Sequence, residues 1–204
     1  MLERFTLQSA RAALSAAVEA AESSTGEKPF LVGFSLGGYV AIDWIAHNPD
    51  RVSGLLAAAC GTDPGPVVVT VWRQLARAIH LLPDRGMALN NAAVRLFVPQ
   101  PGAADVIAGG VALEVMDDVL TVLGSLRPSR SLALVDVPVT FVNGALDHVR
   151  LHDRRMLKAT RLGKLVTVPG ATHMVSVIKP ELFTRLMASA YSMAGGTPTP
   201  DRLP

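Results

Sequence analysis

The segment Gly33-Phe34-Ser35-Leu36-Gly37, followed at once by Gly38, constrains this chain more than any other. Ahead of it, Phe30-Leu31-Val32-Gly33 is a short apolar run that reads as a buried strand. Behind it, Leu36 to His47 is helix-like, with Leu36, Val40 and Trp44 spaced by four, and Asn48-Pro49 ends the pattern. A serine held in so tight a strand-to-helix turn projects its hydroxyl from the sheet at a helix N-terminus. There the dipole and free N–H groups can stabilise an oxyanion. The flanking glycines are expected to remove Cβ atoms that would clash in the bend. The plain alternative is a glycine-rich helix start with an ordinary N-cap serine.

The rest of the chain supplies a sheet for such a turn. Leu7 to Glu22 is an Ala-rich helix pattern whose Ala13, Ala16, Ala17 and Ala20 form a face able to pack on a sheet. Val52–Ala59, Pro138–Val142 and Lys164–Val168 read as further buried strands, and Val175 to Met193 as a helix with Leu182, Leu186 and Met187 on its apolar side. Short buried strands alternating with helices predict an α/β fold, a mostly parallel sheet covered by helices on both faces. From Thr62 to Arg130 the character changes. Breakers at Pro64, Pro83, Pro99, Pro101 and Pro128 separate segments with helical spacing, such as Trp72, Leu75, Ala76 and Ile79. This predicts a core from residues 1–61 and 131–194, a helical insertion at 62–130 and a disordered tail at 195–204.

Composition excludes several classes. The 204 residues are half apolar, which excludes a disordered chain and fits one domain. Nineteen basic against 17 acidic residues leave a net charge of +2, no argument for nucleic acid or an anionic membrane as partner. Cys60, the one cysteine, excludes an intramolecular disulfide framework and sits in an apolar run where a buried, inert thiol is expected. No secretory signal or membrane span is readable, so a cytoplasmic protein is expected. No pair of histidines has a metal-ligand spacing with a carboxylate helper, and neither a metal nor another cofactor is expected.

A serine hydroxyl needs a base to take its proton, and the base needs an orienting carboxylate. Both belong on loops after later strands, at the carboxyl edge of the sheet. After Phe141-Val142 comes Asn143-Gly144-Ala145-Leu146-Asp147, and after Val166-Thr167-Val168 comes Pro169-Gly170-Ala171-Thr172-His173. Asp63, after the strand ending near Cys60, is a competing acid. His47 and His80 sit at ordinary helical positions, and His148 and His152 precede the last strand.

Taken together, these motifs resemble the α/β-hydrolase family. Ser35, Asp147 and His173 keep its order of nucleophile, acid and base, and the Gly144–Asp147 and Pro169–His173 turns are similar to its acid and base loops. The resemblance implies a serine hydrolase of a small or medium carboxylic ester, with an apolar small-molecule substrate. It implies that the Leu36 amide is one oxyanion donor, and that the 62–130 insertion is a lid. Phe34, Trp72, Leu96, Phe97 and Met116 are candidates to line its pocket. The family places further strands, and a loop giving the second oxyanion donor, ahead of the nucleophile. At position 35 there is no room for them. The chain therefore reads as N-terminally truncated, Met1 being an internal methionine of a longer protein. The other reading is a partner-completed, non-catalytic scaffold. On either reading the strand Phe30–Val32 would be an exposed apolar sheet edge in this chain, which makes a lone stable monomer less expected than a homo-oligomer.

Overall fold

The computed structural model describes residues 4–197; residues 198–204 of the expected tail lie outside the described residues. Four strands, β1 (Phe30–Phe34), β2 (Gly54–Ala58), β3 (Val139–Gly144) and β4 (Gly163–Val168), pair in parallel in the order β1-β2-β3-β4. Sequence order and spatial order coincide, so each connection is a crossover that lays helix on the sheet.

Around the sheet run α1 (Leu7–Thr25), α2 (Leu36–His47), α3 (Pro66–His80), α4 (Met87–Phe97), α5 (Gly102–Gly109), α6 (Met116–Ser125), α7 (Pro128–Leu132), α8 (Asp153–Ala159), α9 (Val175–Ile178) and α10 (Pro180–Met193). The segment predicted as a helical insertion holds helices joined by turns, α3 to α7, and no strand among the described residues. Strand ends differ from the sequence reading by a residue or two. Pro180, whose ring cannot continue a helix already begun, divides the last predicted helix into α9 and α10. Helix α8 was not anticipated; only seven residues long, it lacks room for a periodic pattern.

The two faces of the sheet build separate cores, because alternate strand residues point to opposite sides. Leu55, Ala57, Val139 and Phe141 pack with Trp44 and Ile42 of α2, Leu132 of α7 and Met156 of α8. Leu56, Ala58, Val142 and Val168 face the other way, onto Val175 of α9 and Phe183 and Ala190 of α10. Every residue of β2 and β3 is buried. Each large apolar side chain so buried contributes about 1.5–3 kcal/mol over its exposed state. Both edge strands are partly open, and Val32 of β1 is 48% exposed.

Helix α1 corrects one expectation. Ala13, Ala16, Ala17 and Ala20 face solvent, and the buried stripe is instead Leu7, Leu14 and Val18, packed on the core formed by α2. Polar clips select that face. Arg11 pairs with the nearly buried Asp43 at 2.7 Å, and the Trp44 indole N–H donates to Ser15 Oγ at 2.9 Å. Small alanines make a smooth face, but larger apolar side chains bury more area, and the stripe carrying them won.

Candidate active site

The turn after β1 has the strain its sequence foretells. Ser35 has φ 50° and ψ −119°, a conformation side-chain-bearing residues avoid, at a cost of about 1–3 kcal/mol. Its neighbours hold it there: the Ser35 N–H donates to the Ala58 carbonyl, and its own carbonyl accepts from Gly38 and Tyr39 at the start of α2. The glycines divide the labour unexpectedly. A Cβ on Gly33 would lie 2.7 Å from Gly38 Cα, and one on Gly38 would lie 2.7 Å from Cys60 Sγ. A Cβ on Gly37 would meet nothing within 4 Å. Gly33 and Gly38 permit the close approach of strand and helix; Gly37, the last glycine of the pentapeptide, does not.

Loops after β3 and β4 bring the other two candidates to Ser35. His173 Nε2 lies 2.9 Å from Ser35 Oγ, and His173 Nδ1 lies 3.1 and 3.2 Å from the two carboxylate oxygens of Asp147. An ionised carboxylate only accepts, so Nδ1 carries the proton and Nε2 offers its lone pair to the serine hydroxyl. Burial opposes ionisation of Asp147. Hydrogen bonds from His173 and the Val149 N–H outweigh it and hold the carboxyl below its ordinary value. Gly144 starts this acid loop because a Cβ there would drive into the Ala171–Thr172 backbone of the base loop.

A cavity of about 360 Å³ adjoins Ser35 and His173, with Asp147 buried behind the imidazole. Trp72, Ile79, Met116, Leu120 and Val149 give it an apolar wall, and Ser35, His80, His148 and His173 are its polar points. Of the pocket candidates, Trp72 and Met116 line it. Leu96 and Phe97 are exposed. Phe34 lines a different groove, along the outer edge of β1, and its ring centroid is 5.6 Å from that of His173. The Leu36 N–H opens α2 beside Ser35, without an acceptor in its own helix.

Asp63 is not near His173 in this way; its carboxylate lies 3.4 Å from Arg155 Nη2. The loop carrying it braces the acid loop instead. Thr62 Oγ1 accepts from Leu151 N–H, His152 Nδ1 accepts from Asp63 N–H, and the Gly61 carbonyl accepts from His152 N–H. Thr62 N–H donates to the buried Tyr39 hydroxyl. Beneath them, Asn143 accepts from Cys60 N–H and donates to Asp153, whose other oxygen accepts from Arg150 Nε at 2.9 Å. Burial raises the Asp153 pKa, and the Arg150 and Asn143 bonds offset only part of that. This brace escaped the sequence reading. Its one signal was Asn143, a buried amide at the end of an otherwise apolar strand. His148 was also passed over; it lines the cavity with its ring centroid 5.4 Å from that of His173.

Cys60 is fully buried, and burial together with the charges of Asp153 and Asp147 pushes its thiol far above the ordinary range. Among the described residues no group of three metal-binding side chains comes together, and no helix is long and apolar enough to cross a membrane.

A parallel sheet with a strained serine at the β1–β2 crossover, and an aspartate and a histidine on later loops, is similar to the α/β-hydrolase arrangement. Residues 2–186 match the sequence profile described as the alpha/beta hydrolase family, and the chain belongs to that family. Comparison with curated proteins finds no match. Among solved structures, it is similar to a thermophilic esterase from Thermogutta terrifontis, with TM-score 0.73, 16% identity, and 95% of this chain and 75% of that one covered. It is similar to the enol-lactonase from Burkholderia xenovorans, with TM-score 0.66, 15% identity, and 92% and 74% covered. A bromoperoxidase from Bacillus anthracis shows TM-score 0.64, 15% identity, and 81% and 68% covered.

Proposed function

We propose that the chain is a serine hydrolase that cleaves a small or medium carboxylic ester through an acyl-enzyme. The observation that carries this reading is the hydrogen-bonded line from Ser35 Oγ through the His173 imidazole to Asp147, whose Ser35 and His173 line an apolar cavity. His173 Nε2 takes the Ser35 proton as Oγ attacks the ester carbonyl, and Asp147 holds the ring and stabilises the imidazolium that forms. The Leu36 N–H, at the N-terminus of α2, faces the charge that develops on the carbonyl oxygen. Collapse of the tetrahedral intermediate passes the proton from His173 to the departing alcohol. Water, activated by the same ring, then releases the acid.

The cavity, near the small end of ligand sites, suits a compact apolar acyl or ring group. Trp72, Ile79, Met116 and Leu120 come from the 62–130 segment, which on this reading is the lid. The structural neighbours named as an esterase and an enol-lactonase point to the same acyl chemistry, a lactone being an internal ester.

Short p-nitrophenyl esters test the reading, together with a fluorophosphonate probe that labels activated serines. Turnover and labelling that vanish in Ser35→Ala support it. Equal rates in both proteins, or an unlabelled Ser35 after long exposure, would overturn it and leave a non-catalytic binding protein on this scaffold.

A further inference from the structure

A second cavity, of about 180 Å³, lies apart from the Ser35 pocket and shares no lining residue with it. Asp63, Gly65, Arg127, Ser129, Arg130 and Arg155 line it. These residues come from both ends of the helical segment and from the body of the fold. Asp63 and Gly65 lead into α3, Arg127 to Arg130 follow α6 and begin α7, and Arg155 belongs to α8.

The chemistry of the lining is one-sided. Three guanidinium groups face one carboxylate, a surplus of two positive charges. Only part of this charge is committed. Arg155 meets Asp63 at 3.4 Å, and Arg127 spends Nη1 on the Gly124 and Leu126 carbonyls. Arg130 has no ion-pair partner among the described residues. The hydroxyl oxygen of Ser129 is buried and has no hydrogen-bond partner among the described residues, an unfavourable arrangement that a ligand or water would satisfy. Helix α3 also starts at this wall. Its N-cap is Gly65, without a side chain to cap it, and its first turn carries no acidic residue. Pro66 at its first position has no N–H, so the Val67 and Val68 amides are what this end of the helix offers to negative charge.

We propose that this cavity is a binding site for a tetrahedral oxyanion, a phosphate group, that ties the two ends of the helical segment to α8. Planar guanidinium forks match phosphate oxygens, and an orphan hydroxyl supplies a further donor. The volume equals about six waters at ~30 Å³ each, room for a phosphate group and a little solvent but not for a whole nucleotide. The group is either free phosphate or the end of a phosphomonoester reaching in from solvent. One lining residue, Asp63, adjoins Thr62, whose amide is bonded to Tyr39 in the wall of the Ser35 pocket. Occupancy therefore bears on a loop that reaches the candidate active site.

Isothermal titration of the whole chain with inorganic phosphate, at matched ionic strength against chloride, tests the site. Saturable binding is expected, weaker by about tenfold or more in Arg130→Gln and in Arg130→Gln/Arg155→Gln, since each charge-assisted bond is worth about 1.5–3 kcal/mol. A parallel titration with phenyl phosphate separates the sources. Binding at least as tight as phosphate marks a monoester end, and weaker binding marks the free ion. Phosphate should also slow amide exchange at residues 63–68 and 127–131. Circular dichroism confirms the fold of the variants, and Arg130→Gln breaks no ion pair among the described residues. The absence of saturable binding in the unaltered chain, or undiminished binding in both variants, overturns the proposal. None of these readouts depends on ester hydrolysis.

Discussion

Ser35 and His173 stand 138 positions apart in the chain, yet Oγ and Nε2 are 2.9 Å apart, and neither side chain depends on a flexible arm to get there. Ser35 is held by a backbone conformation that α2 and β2 impose, and His173 by the carboxylate of Asp147. The pair can be separated experimentally. Ser35→Ala is expected to lower ester turnover by about 10⁴-fold or more. Ser35→Gly should be equally inactive yet more stable than Ser35→Ala by about 1 kcal/mol, because glycine accepts φ 50° without strain. Denaturant titration of the two variants measures that difference. Equal stabilities would mean that the turn stores no strain.

Glycine substitutions in the same turn should sort by space rather than by motif. Gly37→Ala meets open room inside α2 and is expected to be neutral or to stabilise by up to about 1 kcal/mol through helix propensity. Gly33→Ala forces strand and helix apart and is expected to lose more than about 2 kcal/mol, with the reactivity of Ser35. Thermal unfolding and fluorophosphonate labelling report both.

Acid should expose the contribution of Asp147. Its folded-state pKa lies below the ordinary 3.8, so its stabilisation is fully present above that value. It is lost as pH falls through the lower folded value, when the native state must finally take the proton. Denaturation free energies between about pH 2 and pH 6 should therefore fall less steeply in Asp147→Asn than in the unaltered chain. An unchanged acid slope would contradict this. At neutral pH the same variant should lose about 10⁴-fold in turnover, the amide holding His173 in the wrong tautomer. If activity survives Asp147→Asn but not Asp63→Asn, the acid has been misassigned.

Asp153 should matter for stability and for turnover separately. Asp153→Ala leaves Asn143 Nδ2 and Arg150 Nε without their acceptor and is expected to cost about 3 kcal/mol. Because Arg150 also donates to the Ala145 carbonyl in the acid loop, turnover per folded molecule should fall too. Active-site titration with the fluorophosphonate normalises for folded protein. A rate per labelled site equal to the unaltered chain would confine Asp153 to a structural part.

Where local chemistry decides the outcome, the sequence was readable. Apolar runs announced all four strands, and the glycines around Ser35 announced the turn, because buried parallel strands and tight turns leave compositional marks. The order Ser35, Asp147, His173 was legible for the same reason: each follows a strand end. What escaped depends on partners distant in sequence. The buried face of α1 was chosen by Asp43 and Trp44, about thirty residues away, so alanine spacing pointed to the wrong side. The brace between residues 60–63 and 143–153 joins backbone amides to side chains over eighty residues away, and periodicity says nothing about them. Phe34 adjoins the serine in sequence but lies along the β1 edge, since neighbouring strand residues point opposite ways.

The contact between Cys60 and Gly38 makes the single thiol a clock. Its sulfur fills the space a side chain at Gly38 would need, sealed beneath the turn that presents Ser35. An alkylating reagent can reach it only when the packing around the end of β2 opens, at α2 on one side or at Asn143 and Asp153 on the other. In a chain with one cysteine, the modification rate thus times the opening of the packing beneath the serine turn, without a substrate or an inserted label.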